Sequence, residues 1–174
     1  MSSTTLKEER LACTFASGWL ATKFDDWAFY QKRSKDFFCG NKAVDFLAHD
    51  PAQKTLWLIE LKDYRRHMRT KDDKITLWDE VALKARDTLA GLFAAKVDTT
   101  HPDHSYAVRA LGAARIRVVL HLEQPRSHSK LFPRVYNPSD IQLKLKKLVK
   151  PIDAHPCVVE LRNMTSVPWS AASI

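Results

Sequence analysis

Asp45, Glu60 and Lys62 carry the chemistry that stands out in this sequence. The stretch from Thr55 to Arg66, TLWLIELKDYRR, begins with the apolar run Leu56, Trp57, Leu58, Ile59. A carboxylate and an amine follow it two residues apart. Side chains alternate faces along a strand, so Glu60 and Lys62 point the same way and Leu61 points oppositely. Upstream, KAVDFLAHD reads as a second short strand carrying Asp45, with His49, Asp50, Pro51 and Ala52 as turn chemistry for a hairpin. The hairpin would bring Asp45, Glu60 and Lys62 together at one end of a sheet. Two carboxylates there can hold Mg²⁺, a hard cation that takes oxygen ligands. The ion would offset charge on a phosphodiester and lower the pKa of a bound water, and the lysine could orient or deprotonate that water. The plainer alternative is a solvated strand end.

With Asp45 followed by Glu60-Leu61-Lys62, the sequence resembles the signature of the PD-(D/E)XK nuclease superfamily, which has the restriction-endonuclease-like fold. Val44 stands where the proline of that signature would be. The resemblance implies an α/β single domain over residues 1–174: a restriction-endonuclease-like αβββαβ core with a mixed central sheet and a C-terminal helix-strand extension. It implies a metal-dependent nuclease hydrolysing phosphodiester bonds, most readily in DNA, with Mg²⁺ or Mn²⁺ as cofactor. Asp45 and Glu60 would bind the metal with help from the Leu61 carbonyl, and Lys62 would act on the attacking water. It also makes Glu8, on a first helix, a candidate for the metal site, although a solvated acid is the simpler view. Lys84 is read as solvated. The rival from another class is a non-catalytic nucleic-acid-binding or assembly module that keeps the fold. RNA as substrate stays open.

The elements that must position these residues follow from periodicity. About Leu6 to Phe24 reads as a helix, with Leu11, Phe15, Trp19 and Thr22 on one stripe. Trp27, Phe29 and Tyr30 lead toward a first strand, and QKRSKDFF follows as a basic, aromatic-interleaved segment. A second helix is expected from Leu77 to Lys96, its core stripe running through Trp78, Val81, Ala82, Ala85, Leu89, Leu92 and Phe93. Val97 to Tyr106 reads as loop, where His101 and His104 form only a weak zinc signal. Arg115 to Leu122 is a buried strand after a crossover helix. Ser139 is the expected N-cap of a third helix, Asp140 to Val149, with Ile141, Leu145 and Leu148 inward. Cys157 to Leu161 makes a last strand, and Trp169 anchors the tail.

Composition sets the partners. A net charge of +8 and a pI near 9.5 favour a polyanion. Arg65, Arg66, Arg69 and Lys71 sit directly after the proposed site, where they could hold phosphates without reading sequence. Cys13, Cys39 and Cys157 are an odd, scattered set that suggests neither a disulfide framework nor a zinc ribbon. No signal peptide opens the chain and no apolar run approaches membrane-spanning length, so a cytoplasmic protein without membrane contact is expected. Nothing decides between a monomer and a homodimer.

Overall fold

The apolar run after Lys54 becomes strand β5 (Thr55–Asp63), buried from Thr55 through Leu61. Burial on both faces is why the run is continuous rather than alternating. Strand β4 (Phe46–Asp50) lies antiparallel along one edge of it, from Phe46 opposite Ile59 to Asp50 opposite Thr55. Asp50 closes their hairpin: its Oδ1 accepts the Ala52 amide at 3.0 Å and the Gln53 amide at 3.2 Å. Lys54 completes the turn at φ 47°. Along the other edge β6 (Arg115–Glu123) runs parallel, from Thr55 opposite Arg115 to Asp63 opposite Glu123.

The computed structural model describes residues 2–27, 42–66, 75–127, 129–131 and 133–174. Among these, β3 (Leu20–Lys23) and β7 (Cys157–Val159) complete a five-stranded sheet of order β3-β4-β5-β6-β7. A second sheet has the order β1-β2-β8, built from β1 (Thr4–Glu8), β2 (Leu11–Phe15) and β8 (Ser170–Ser173). Helix α1 (Leu77–Val97) is the crossover between the parallel strands β5 and β6, followed by the short α2 (His104–Ala110). Helix α3 (Pro138–Val149) connects β6 to β7. The architecture is mixed α/β. Among the described residues no helix is long and apolar enough to cross a membrane.

Strand alternation splits the core into two layers. Leu56 and Leu58 face the helices, packing in one cluster with Val81, Ala85, Leu92, Ile141, Leu145 and Val149. Trp57, Ile59 and Leu61 face the small sheet, with Leu11, Cys13, Phe15 and Trp169. Trp169 meets Trp57 edge-on at 5.1 Å between ring centroids, which fastens the tail to the main sheet.

Several expectations are corrected here. Residues 6–24 are not a helix but β1, β2 and β3. Leu11 and Phe15 satisfy a helical i, i+4 spacing, yet Cys13 between them is buried too, which is the period of a strand. Turns with positive φ at Glu9 (47°) and Gly18 (87°) interrupt any continuous helix. The stretch read as loop to Tyr106 already contains the start of α2. Helix α3 is capped by Asn137, whose side chain accepts the Ser139 amide at 3.0 Å, so Ser139 is inside the helix. Its inward stripe ends on Val149, and Leu148 is 45% exposed. Phe93, expected inside α1, is 63% exposed, while Thr88 and Gly91 take the buried face. The last strand stops at Val159, and β8 is an added strand that pairs with β2. Phe29, Tyr30 and the QKRSKDFF segment lie outside the described residues.

Candidate functional site

Three elements bring charged side chains to one point on the helix-facing side of β5. Glu60 and Lys62 continue the face begun by Leu56 and Leu58. Asp45 precedes β4 and is fixed by its neighbours: the Val44 amide donates to Thr88 Oγ1 on α1 at 3.0 Å, and the Asp45 carbonyl accepts the Phe24 amide at 3.1 Å. Its side chain completes the link to β5, Oδ2 accepting the Leu61 amide at 2.7 Å. Helix α1 starts at Thr76, whose hydroxyl accepts the Asp79 amide. One turn in, it presents Glu80, and a further turn on Lys84, both beside the buried stripe of Val81 and Ala85.

The ion pairs are short. Lys84 Nζ lies 2.6 Å from Glu60 Oε1 and 3.8 Å from Asp45 Oδ1. Lys62 Nζ lies 3.0 Å from the same Glu60 oxygen and 2.9 Å from Glu80 Oε1. Glu60 is 0% exposed, and its Oε2 has no hydrogen-bond partner among the described residues. A buried oxygen of that kind is costly unless a water or a cation satisfies it.

Burial and charge balance together set which of these groups hold protons. Among the described residues, three carboxylates (Asp45, Glu60, Glu80) against two ammoniums (Lys62, Lys84) leave −1 when all are ionised. Burial, then the Glu60 charge, pushes the Asp45 carboxyl up to about 8, against the pull of Lys84, the Leu61 amide and Lys62. Near neutrality Asp45 therefore holds a proton and the cluster is close to neutral. Burial works against the charge of Lys62, but Glu60 and Glu80 outweigh it and hold the ammonium above its ordinary range. Lys84 is raised in the same way: burial opposes its charge, and Glu60 and Asp45 overcome it.

The structure thus brings Asp45, Glu60 and Lys62 together. It also corrects Lys84, which is a half-buried, ion-paired member of the cluster rather than a solvated lysine. The only mark Glu80 carries in the sequence is its position four residues before Lys84, next to the core stripe. Glu8 is not on a helix and pairs with Lys23 at 2.8 Å. Arg65 is gripped by Asp63 through Nε at 2.8 Å and a terminal nitrogen at 2.6 Å, so it is a structural ion pair before it is a phosphate contact. Arg66 is exposed; Arg69 and Lys71 lie outside the described residues. His101 Nδ1 accepts the Asp103 amide at 3.0 Å, and His104 Nδ1 lies 3.3 Å from the Ala95 carbonyl, so both histidines serve the start of α2. Among the described residues no three His, Cys, Asp or Glu side chains meet as a metal site.

A cysteine–tRNA ligase of Neisseria meningitidis serogroup A / serotype 4A (strain DSM 15465 / Z2491) is 29% identical to this chain over 210 aligned positions. The match covers 98% of this chain, which spans 30% of the length of that relative. No family model matches the chain, and no solved structure does. This likeness overturns the expectation of a DNA nuclease and with it the hydrolase reading: the matching protein is a tRNA ligase. The geometry agrees on one point. A lysine held protonated between Glu60 and Glu80 is poorly suited to deprotonating a water.

Proposed function

We propose that this chain is a tRNA-binding module associated with tRNA ligation, and that the cluster of Asp45, Glu60, Lys62, Glu80 and Lys84 is its phosphate-facing cation site. The observation that carries the reading is the match of nearly the whole chain to under a third of a protein named for joining cysteine to tRNA. A match of that shape suits one portion with its own core. The net charge of +8 supports a polyanionic partner. The order of β3 to β7 supports keeping the PD-(D/E)XK likeness at the level of fold.

Asp45 and Glu60 would hold Mg²⁺, or Mn²⁺ in its place, with the Leu61 carbonyl as a further oxygen donor. The unpartnered Glu60 Oε2 is the acceptor that such an ion would satisfy. When bound, the ion offsets carboxylate charge and attracts a phosphate oxygen. Asp45 must give up its proton for this, so ion binding strengthens as pH rises toward 8. Lys62, partly exposed, offers its ammonium to phosphate, while Lys84 pairs with Glu60 from beneath at 2.6 Å.

Fluorescence anisotropy with labelled tRNA and with duplex DNA of equal phosphate number tests the reading. The tRNA is expected to bind at least about tenfold tighter, with affinity falling as salt rises. Equal affinity for both, or no binding of tRNA, would overturn it.

A further inference from the structure

The parallel strands β5, β6 and β7 end side by side, and their carboxyl ends open into a second cleft. It lies on the far side of the sheet from the acid–lysine cluster. Its volume is about 280 Å³, and Arg65, Glu123, Arg126, Arg134, Glu160 and Arg162 line it. The carboxyl edge of an open α/β sheet is where ligands characteristically enter. We infer that this cleft binds a phosphate monoester, of the kind carried by a nucleotide or by the end of a polynucleotide.

The charge favours an anion. Four guanidiniums against two carboxylates leave +2 in the lining, and +1 remains when Asp63, which holds Arg65, is counted as well. The acids serve to orient the arginines. Glu160, buried, takes Arg134 on Oε1 and the Arg162 Nε on Oε2 at 2.6 Å. Asp63 takes Arg65 in a two-pronged grip, and the third Arg65 nitrogen donates to Ser173 Oγ at 3.0 Å. Glu123 is turned inward, its Oε1 accepting the Leu161 amide at 2.6 Å and lying 2.9 Å from His121 Nε2. Its charge is thereby committed to the protein rather than to the cleft.

Donors remain for a ligand. Each guanidinium has five N–H groups in a planar fork that matches phosphate oxygens. Arg162 uses Nε alone in its pair with Glu160, and Arg126 makes no hydrogen bond or ion pair among the described residues. The cavity is near the lower end of ligand-pocket sizes, which suits one phosphate with an attached nucleoside better than a bulky organic molecule. The inference is independent of the acid–lysine cluster and of tRNA binding.

Isothermal titration of the whole chain with adenosine 5′-monophosphate, adenosine and inorganic phosphate is the test. The monophosphate should bind at least about tenfold tighter than adenosine, and inorganic phosphate should compete with it. Arg162→Gln and Arg126→Gln should each weaken the monophosphate at least about fivefold; exposed Arg126→Gln should melt at the wild-type temperature, whereas Arg162→Gln, which takes one partner from buried Glu160, should stay folded with a lower melting temperature. Two RNA oligomers, with and without a 5′-phosphate, separate the sources. Tighter binding of the phosphorylated oligomer identifies a polynucleotide end; equal binding of the two, with the monophosphate still bound, identifies a free nucleotide. Equal affinity for adenosine and its monophosphate, or wild-type affinity in both folded variants, would overturn the inference.

Discussion

Replacing Asp45 by asparagine removes one charge from the acid–lysine cluster and keeps its hydrogen bond. The asparagine oxygen can still accept the Leu61 amide that Asp45 Oδ2 takes at 2.7 Å. In the wild type, burial and then Glu60 raise the Asp45 carboxyl from 3.8 to about 8. Between those values the native chain holds a proton that the unfolded chain has lost. Stability therefore falls as pH rises through that window, by up to about 1.4 kcal/mol per pH unit from this group, and levels off above it. Asp45→Asn has no such titration. Urea unfolding followed by tryptophan fluorescence, at fixed ionic strength, should show the variant gaining on the wild type by roughly 1–3 kcal/mol between about pH 5.5 and about pH 7.5. Every other titrating group is common to both proteins and cancels in the difference. Parallel stability curves would refute the reasoning, because Asp45 would then be ionised in both states. A variant less stable by a constant amount at every pH would make Asp45 a structural residue only.

Lys84→Met should destabilise the fold by roughly 3–5 kcal/mol in urea unfolding, since it strips the nearest cation from a buried carboxylate; a loss under about 1 kcal/mol would mean that Glu60 does not depend on it. Arg65→Glu sets a carboxylate against Asp63 and should lower stability by about 1–2 kcal/mol, whereas exposed Arg66→Glu should change it by less than about 0.5 kcal/mol. In tRNA binding, Arg66→Glu should weaken affinity and flatten its salt dependence without regard to RNA sequence. Unchanged binding would leave Arg66 an ordinary surface charge.

Much of the central sheet is legible in the sequence because its signals are redundant. β5 is an unbroken apolar run, the turn after β4 is built by an aspartate and a proline, and α1 has a long apolar repeat ahead of a strand that must be parallel. Those same signals imply the meeting of Asp45, Glu60 and Lys62. The first strands are not legible, because Leu11, Phe15 and Trp19 fit a helix as well as a strand until Cys13 is known to be buried. β8 is too short and polar to declare itself, and it exists because β2 offers an edge. Lys84 and Glu80 flank the α1 core stripe, and whether such residues meet solvent or a neighbour depends on where β5 ends beneath them. The acid–acid–lysine spacing alone reads as hydrolysis, and the likeness to a tRNA ligase corrects that reading, since a fold and a charge pattern do not fix a reaction.

The central claim joins a divalent ion at Asp45 and Glu60 to tRNA binding on the same face. The measurement closest to it is the tRNA affinity of wild type and Asp45→Asn with and without millimolar Mg²⁺, at constant ionic strength and about pH 8, where ion binding is least opposed by the Asp45 proton. Both proteins see the same folded tRNA, so the effect of the ion on the RNA cancels. The account predicts that Mg²⁺ tightens wild-type binding at least about fivefold more than it tightens binding of the variant. An identical Mg²⁺ response in the two proteins would contradict it.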